Sequence, residues 1–208
     1  MPEFSNRWSR KLYHTLRPFR EELASQPRKY LEIGVFEGGS IHMMMTSYLK
    51  HPESRAWGVD PWGLREMSRR RYPANDEGLK KIQAVEQRAR NNLAEFGTKV
   101  ELIKACSRDY LLGNPFPEEF FDVIYVDGVH YGYGALTDSV LTWPLLKVGG
   151  LCVWDDYEAR HAPDLPRVVT AFLSALGPGS HEILKDVSQL LVRKLAPIQQ
   201  APPLDEPS

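Results

Sequence analysis

The chain has 208 residues, of which 42% are hydrophobic and 25% are charged, a composition typical of one globular domain with a sizeable core. Because 26 lysines and arginines stand against 27 aspartates and glutamates, its charge gives no general attraction to nucleic acid or to an anionic membrane surface. The two cysteines lie in or beside apparent core segments and no stretch reaches the roughly 18 apolar residues of a membrane span, so we expect a cytoplasmic protein without a disulfide framework.

After an N-terminal helix, short apolar runs alternate with longer amphipathic ones. The runs predicted to be buried parallel strands are KYLEIGV (29–35), RAWGVD (55–60), KVELIKA (99–105), FDVIYVD (121–127) and GLCVWDD (150–156). The helical patterns between them lie at about 38–50, 77–96, 133–146 and 163–176. This alternation predicts a doubly wound α/β sheet.

Two further apolar runs close the ordered part of the chain, at 181–187 and 189–194. The break at Ser188 is too short for a crossover, so it predicts an antiparallel hairpin. The expected fold class is therefore α/β, with a doubly wound, mostly parallel, Rossmann-like sheet of seven strands that ends in this hairpin. We expect a single domain over residues 1–195, with a lid-like insert near 61–78 and a disordered, proline-rich tail at 196–208.

The segment YLEIGVFEGGS places a glycine-rich turn between the first strand and a helix that begins near Ser40. Gly34, Gly38 and Gly39 permit a sharp turn and a close approach of the backbone to a ligand. The spacing differs from G-x-G-x-x-G and no P-loop lysine follows, so a tight turn without a ligand is the alternative. The next strand ends in Asp60, whose carboxylate can accept both hydroxyls of a ribose or serve as a helix cap or loop acid. Together, the turn and the acid predict an adenosine-containing ligand.

Three aspartates follow two strands that are expected to be neighbours: Asp127 ends FDVIYVD, and Asp155 and Asp156 end GLCVWDD. The carboxyl ends of the strands are where ligands bind in an open α/β sheet. Converging carboxylates repel one another, and a hard divalent cation is the simplest neutralising partner. The sequence therefore predicts a metal site at Asp127, Asp155 and Asp156. The alternative is that one aspartate of the pair caps the following helix and the other is solvated.

These motifs resemble those of the class I S-adenosylmethionine-dependent methyltransferases, over roughly residues 28–194. LEIGVFEGGS is similar to the first motif of that family, GVDPW to the second, FDVIYVDGVH to the fourth and LLKVGGLCVWDDY to the fifth-strand segment. The resemblance implies S-adenosylmethionine as the cofactor, with Asp60 at the ribose and Ser107 nearest the adenine. The full set of cofactor contacts that it implies is Glu32, Gly34, Gly38, Ser40, Asp60, Ser107 and Asp127.

Within that family, the catechol and macrocin-type O-methyltransferases resemble the arrangement of the three aspartates, which implies bound Mg²⁺. Asp156 stands where the catechol enzymes carry an asparagine. His130, three residues after Asp127, is the expected general base, because an imidazole pKa of about 6.5 suits proton removal at neutral pH. His161 is the second choice, and the alternative for His130 is a loop histidine that orients the site or faces water. The predicted catalytic residues are thus His130 and Asp127.

Two further groups fit more than one function. Tyr131, Tyr133 and Trp62 fit either aromatic walls of a substrate pocket or packing against the insert. The triplet Arg69–Arg71 fits a solvated surface better than a site for an anionic substrate.

The function that these features favour is methylation of a small-molecule hydroxyl, dependent on S-adenosylmethionine and assisted by a divalent metal. The alternatives are a metal-independent methyltransferase, a non-catalytic nucleotide-binding module and an NAD-binding protein. Methylation of RNA or DNA is disfavoured, because the charge is near neutral and DGVH occupies the place of an NPPY-like stretch. The expected partner is a small hydroxylated molecule, and the sequence is compatible with a homo-oligomer.

Overall fold

The computed structural model describes residues 2–63, 75–113 and 115–198. The strands are β1 (Lys29–Ile33), β2 (Arg55–Asp60), β3 (Val100–Lys104), β4 (Phe121–Val126), β5 (Leu146–Trp154), β6 (His181–Val187) and β7 (Gln189–Lys194). The α-helices are α1 (Ser9–Leu16), α2 (Arg20–Ala24), α3 (Gly39–Ser47), α4 (Asp76–Leu93), α5 (Ser107–Leu112), α6 (Gly132–Thr142) and α7 (Leu165–Ala175). Short 3₁₀ segments lie at Arg17–Phe19, Ala94–Lys99 and Trp143–Leu145.

Within the described residues, the seven strands form one sheet in the order β3-β2-β1-β4-β5-β7-β6. The first five strands pair in parallel, and β7 pairs antiparallel with both β5 and β6. The hairpin between β6 and β7 turns at Ser188, which has a φ of +57°. The predicted fold class, a mostly parallel doubly wound sheet with a C-terminal antiparallel hairpin, is confirmed.

Both faces of the central strands are buried, which explains why their sequences are apolar without alternation. In β1, Tyr30 packs into one hydrophobic cluster and Leu31 into the other. β4 and β5 divide in the same way, with Tyr125 and Val153 on the first face and Val126 and Trp154 on the second. Both faces of the central strands are therefore covered, and the pairing of the strands sets the register of their ends.

Several boundaries differ from the predicted ones. The helix expected at 133–146 ends at Thr142, and β5 begins at Leu146 rather than at residue 150. Pro144 lies in the short 3₁₀ segment between them, where a proline cannot continue the α-helical hydrogen bonding. The helix α5, which begins at Ser107, was not predicted.

Part of the predicted organisation lies outside the described residues. This applies to residues 64–74 of the expected insert, to the Arg69–Arg71 triplet and to residues 199–208 of the expected tail. The end of the expected insert forms the start of α4, where the side chain of Asn75 caps the helix by accepting from the amide of Gly78. In the part of the chain that the structure describes, no helix has the length and apolar character needed to cross a membrane.

Candidate active site

Four strands deliver candidate residues to one edge of the sheet. β1 lies between β2 and β4, so the strand order reverses at β1: β2 and β3 lie on one side of it and the later strands on the other. Ligands bind at this switch point in doubly wound folds. The residues that end or follow these strands are Gly34, Asp60, Asp127 and Asp155. Backbone hydrogen bonds fix their positions: the Asp127 amide donates to Ile33 at 2.8 Å, and the Asp155 amide donates to Val126 at 3.0 Å.

The glycine turn after β1 has two positions that only glycine fits without strain. Gly34 has a φ of +88°, and a Cβ there would lie 2.1 Å from the carbonyl oxygen of Asp127. Gly38 has a φ of +80°, and a Cβ there would lie 2.7 Å from a methyl group of Leu93. The turn leads directly into α3, whose first amides point toward this edge of the sheet. Close contact with the backbone at Asp127 and with the side chain of Leu93 thus requires these glycines even without a ligand.

Replacing Gly34 by alanine should prevent the native turn from forming, because the added carbon would overlap the Asp127 carbonyl. Gly177 is a matched control, since it has a φ of +82° but no atom lies within 4 Å of an added Cβ. The left-handed backbone alone costs about 1–2 kcal/mol, so Gly177→Ala should lower the Tm by about 2–8 °C in thermal unfolding. Gly34→Ala should lower it much further or give insoluble protein. Similar decreases in the two variants would contradict this steric explanation.

Asp60 holds the glycine turn in place. Its Oδ2 accepts from the amides of Val35 at 2.8 Å and Phe36 at 2.9 Å, and its Oδ1 accepts from the amide of Trp62 at 2.8 Å. The side chain is buried. Burial raises the pKa of Asp60, and the three amide donors oppose that effect. Since a carboxylate offers about four acceptor positions, some capacity remains for a ligand hydroxyl.

The other predicted cofactor residues differ in their accessibility. Glu32 is buried, its carboxylate accepts from the hydroxyl of Tyr30, and burial raises its pKa well above the usual value. Ser40 lies in the first turn of α3 and is half-buried. Ser107 is the first residue of α5, and its hydroxyl donates to Asp138 on α6 at 2.6 Å. Ser107 therefore links two helices beside the site.

Asp155 is fixed by residues from two distant elements. Its Oδ1 accepts from Gln189 Nε2 at 2.7 Å, and Gln189 Oε1 in turn accepts from the hydroxyl of Thr15 on α1 at 2.6 Å. Asp155 and Gln189 are both buried. This chain of bonds ties the end of β5 to β7 and to α1, and it orients the Asp155 carboxylate.

Asp156 follows in a turn with a φ of +53° and carries two cationic or ionisable partners. Its Oδ1 lies 2.7 Å from the ammonium of Lys11, and its Oδ2 lies 2.7 Å from Nε2 of His161. Burial alone would raise the pKa of Asp156, but Lys11 and His161 lower it below the usual value. Asp156 is therefore ionised at neutral pH.

His130 lies between two of the aspartates. Its Nε2 is 3.7 Å from Asp127 Oδ1 and 3.8 Å from Asp156 Oδ2. Burial lowers the pKa of His130 below its usual value, although Asp156 and Asp155 oppose this effect. Burial also raises the pKa of Asp127 well above the usual value, and the carboxylates of Asp155 and Glu32 add to the increase. The site thus contains a neutral imidazole and a carboxylate that binds a proton readily.

Within the described residues, one group of side chains lies close enough together to hold a metal ion, and it includes Asp156 of the predicted ligands. Ligand atoms of His130, Asp156 and His161 all lie within 4.8 Å of one another. Asp127 adjoins this group through its contact with His130, and Asp155 adjoins it through Lys11, whose Nζ is 3.9 Å from Asp155 Oδ1. The candidate site therefore combines carboxylate oxygens with two imidazole nitrogens.

Sequence reasoning missed Lys11 and Gln189. Both residues come from elements far along the chain from the aspartates, and neither belongs to a motif, so only the folded contacts reveal them. Among the aromatic candidates, Trp62 is buried and its indole donates to the Phe36 carbonyl, so it supports the glycine turn. Tyr131 and Tyr133 are exposed beside the site.

Comparison with known proteins identifies the family. A family model described as a methyltransferase domain matches residues 31–157, which include the glycine turn and all three aspartates. The chain belongs to this methyltransferase family. The resemblance to class I S-adenosylmethionine-dependent methyltransferases that the sequence motifs indicated is confirmed.

Individual relatives are distant from this methyltransferase. It is 26% identical over 182 residues to uncharacterized protein R132 of Acanthamoeba polyphaga mimivirus, covering 83% of this chain and 72% of that protein. The O-methyltransferase NovP superposes with a TM-score of 0.65 at 17% identity, covering 89% of this chain and 80% of NovP. MycE, a methyltransferase of the mycinamycin biosynthetic pathway solved with Mg and SAH, gives a TM-score of 0.56 at 18% identity. This match covers 88% of the present chain but only 48% of the length of MycE.

Proposed function

We propose that this methyltransferase transfers the methyl group of S-adenosylmethionine to a hydroxyl of a small molecule, with the help of a divalent cation. The observation that carries the proposal is the meeting of His130 with Asp127 and Asp156 at the same sheet edge as the glycine turn. NovP is an O-methyltransferase, and MycE was solved with both Mg and SAH, which supports the same chemistry here.

The glycine turn and Asp60 form the proposed cofactor site. Gly34 and Gly38 let the turn pack against Asp127 and Leu93, and Asp60 holds the amides of the turn while retaining capacity to accept from a ribose hydroxyl. Glu32 lies at the end of β1 beneath the turn. These features fit the methionine and ribose parts of S-adenosylmethionine, whose sulfonium supplies an electrophilic methyl group.

The aspartates fit a cation. The ammonium of Lys11 already lies against Asp156 and Asp155, so the site accepts a positive charge between these side chains. Carboxylate oxygens from Asp127, Asp155 and Asp156 are suitable ligands for Mg²⁺ or Mn²⁺. A divalent cation held there would supply Lewis-acid polarisation of a substrate hydroxyl.

His130 is the proposed base. As the hydroxyl oxygen attacks the methyl carbon, the carbon–sulfur bond breaks, the oxygen–carbon bond forms and the hydroxyl proton passes to the imidazole of His130. Its lowered pKa keeps this imidazole neutral before the reaction. The carboxylates of Asp127 and Asp156, 3.7 and 3.8 Å away, then stabilise the imidazolium.

Titration calorimetry with S-adenosylhomocysteine, together with methyl-transfer assays on hydroxylated acceptors, tests the proposal. Asp60→Ala should weaken binding of S-adenosylhomocysteine by about 1–3 kcal/mol, as expected for lost hydrogen bonds to a charged group. Asp122→Ala is a matched control, because Asp122 is also buried but pairs with Arg28 and Lys147 at the opposite edge of the sheet. That variant should lose stability while it keeps its affinity. Absence of binding by the unaltered protein would refute the proposed cofactor.

The contact between Lys11 and Asp156 favours a second candidate, methyl transfer without a metal. In that case the ammonium of Lys11 would permanently offset part of the negative charge of the aspartates, and the aspartates would position the substrate. Activity that is unchanged by a chelator would support this candidate, whereas activity restored by added Mg²⁺ or Mn²⁺ supports the first.

A further inference from the structure

Helix α1 delivers Lys11 to the aspartates from the N-terminal part of the chain. Leu12 and Leu16 are fully buried, and the hydroxyl of Thr15 donates to Gln189 at 2.6 Å, so the part of the helix that follows Lys11 is anchored to the body of the protein. The position of Lys11 at the ends of the strands thus follows from the packing of its neighbours. Lys11 is therefore placed beside the aspartates by the fold, and no sequence motif around Lys11 indicates this position.

The ammonium of Lys11 forms ion pairs with the aspartates but its side chain remains partly exposed to solvent. Its Nζ lies 2.7 Å from Asp156 Oδ1 and 3.9 Å from Asp155 Oδ1. The Lys11 side chain is 44% exposed, whereas those of Asp155 and Asp156 are 7% and 13% exposed. Lysine has a flexible stem of four carbons, so the ammonium can move into solvent while α1 stays in place.

We propose that Lys11 is a tethered cation that competes with the divalent metal for Asp155 and Asp156 and thereby sets the metal affinity of the enzyme. This inference rests on the proposed function, since it needs a metal to compete with. An ammonium and a metal ion cannot occupy the same carboxylate oxygens, because like charges at contact distance repel strongly. Without metal, the ammonium of Lys11 offsets part of the negative charge of Asp155 and Asp156; when metal binds, Lys11 moves out to solvent.

Direct metal binding tests the competition without any turnover. Mn²⁺ is titrated into the metal-free protein and free Mn²⁺ is measured by electron paramagnetic resonance. Lys11→Met should bind Mn²⁺ at least about fivefold more tightly than the parent, the value of a partly exposed ion pair of about 1 kcal/mol. Lys11→Arg keeps the charge and should stay close to the parent. Lys81→Met is the control for net charge, because Lys81 is exposed and pairs with Glu77 on α4; it should also leave the affinity unchanged.

A second readout follows the Lys11 side chain itself. In the metal-free protein its contact with Asp156 should slow acetylation by a lysine-specific reagent, and Mn²⁺ should accelerate acetylation of Lys11 relative to Lys81, as measured by mass spectrometry. In Asp156→Asn, Lys11 should react quickly with or without Mn²⁺. This measurement remains interpretable if the Lys11→Met variant folds poorly.

Equal Mn²⁺ affinities of the parent and Lys11→Met, or no change in Lys11 acetylation with Mn²⁺, would overturn the competition while leaving the proposed methyl transfer intact. If neither the parent nor Lys11→Met binds Mn²⁺, then both the competition and the metal-assisted reaction fail. Binding of S-adenosylhomocysteine, measured separately, would still stand as the test of the cofactor site.

Discussion

His130→Ala should lower kcat by about 10²- to 10⁴-fold, the usual contribution of a general base, while the affinity for S-adenosylhomocysteine stays unchanged. The reason is geometric: the imidazole lies between Asp127 and Asp156, whereas the turn that forms the proposed cofactor site is held by Asp60. Single-turnover methyl transfer and titration calorimetry measure the two quantities. His161→Ala is the matched control, because it also removes an imidazole from Asp156 but leaves His130 in place.

The pH profile separates a base from a residue that only supports the site. Because burial lowers the pKa of His130, the neutral form is present at pH 7 and is lost only as the pH falls through that lowered value. The parent should therefore lose kcat/KM with an acid limb below about pH 6.5, and His130→Ala should lack the part of this limb that protonation of the imidazole causes, whereas the part caused by protonation of Asp127 should remain. A normal rate in His130→Ala and a large loss in His161→Ala would transfer the role to His161. If His130→Ala instead weakened Mn²⁺ binding as much as Asp156→Asn, His130 would be a metal ligand.

The fold was predictable because each central strand is buried on both faces. Once helices alternate with strands, few other topologies can bury the apolar runs of β1, β4 and β5. The one-residue break at Ser188 allows only a tight hairpin. The boundaries were less predictable, since they depend on local effects such as Pro144, which ends the helical segment before β5. The helix α5 was missed because it has only six residues, too few for a periodic pattern.

Only those residues of the candidate site that lie at the ends of strands could be predicted from the sequence. The edge of the sheet on which Gly34, Asp60 and Asp127 lie follows from the order of the strands. Lys11 and Gln189 could not be predicted, because their contacts with the aspartates span 145 and 34 residues of sequence and depend on how α1 and β7 pack. Nor could the sequence show that Asp60 binds the backbone of the glycine turn.

Asp127→Asn and Asp156→Asn should each remove most of the activity and weaken Mn²⁺ binding. The loss should exceed the roughly 10- to 100-fold that removal of an outer partner of a metal site costs, because a charged ligand is removed in each case. A chelator should abolish the activity of the parent, and Mn²⁺ or Mg²⁺ should restore it. Full activity of the parent in excess chelator would instead favour the metal-independent reaction, with Lys11 as the permanent partner of Asp156.

The same two variants should change the stability of the metal-free protein in opposite directions. Because the pKa of Asp127 is raised in the folded state, this residue loses stabilising free energy as the pH rises from its unfolded-state pKa of about 3.9 towards the folded-state value, so Asp127→Asn should raise the Tm at pH 7. The pKa of Asp156 is lowered by Lys11 and His161, so its ionised form favours folding above pH 4, and Asp156→Asn should lower the Tm. Thermal unfolding in chelator at pH 7 measures both shifts. Shifts of the same sign would show that the two aspartates do not differ in environment, Asp127 being crowded by carboxylates and Asp156 being paired with Lys11 and His161. If the two variants shift the Tm in opposite directions but lose similar amounts of activity, the loss of activity cannot result from the change in stability. It then results from the loss of a metal ligand.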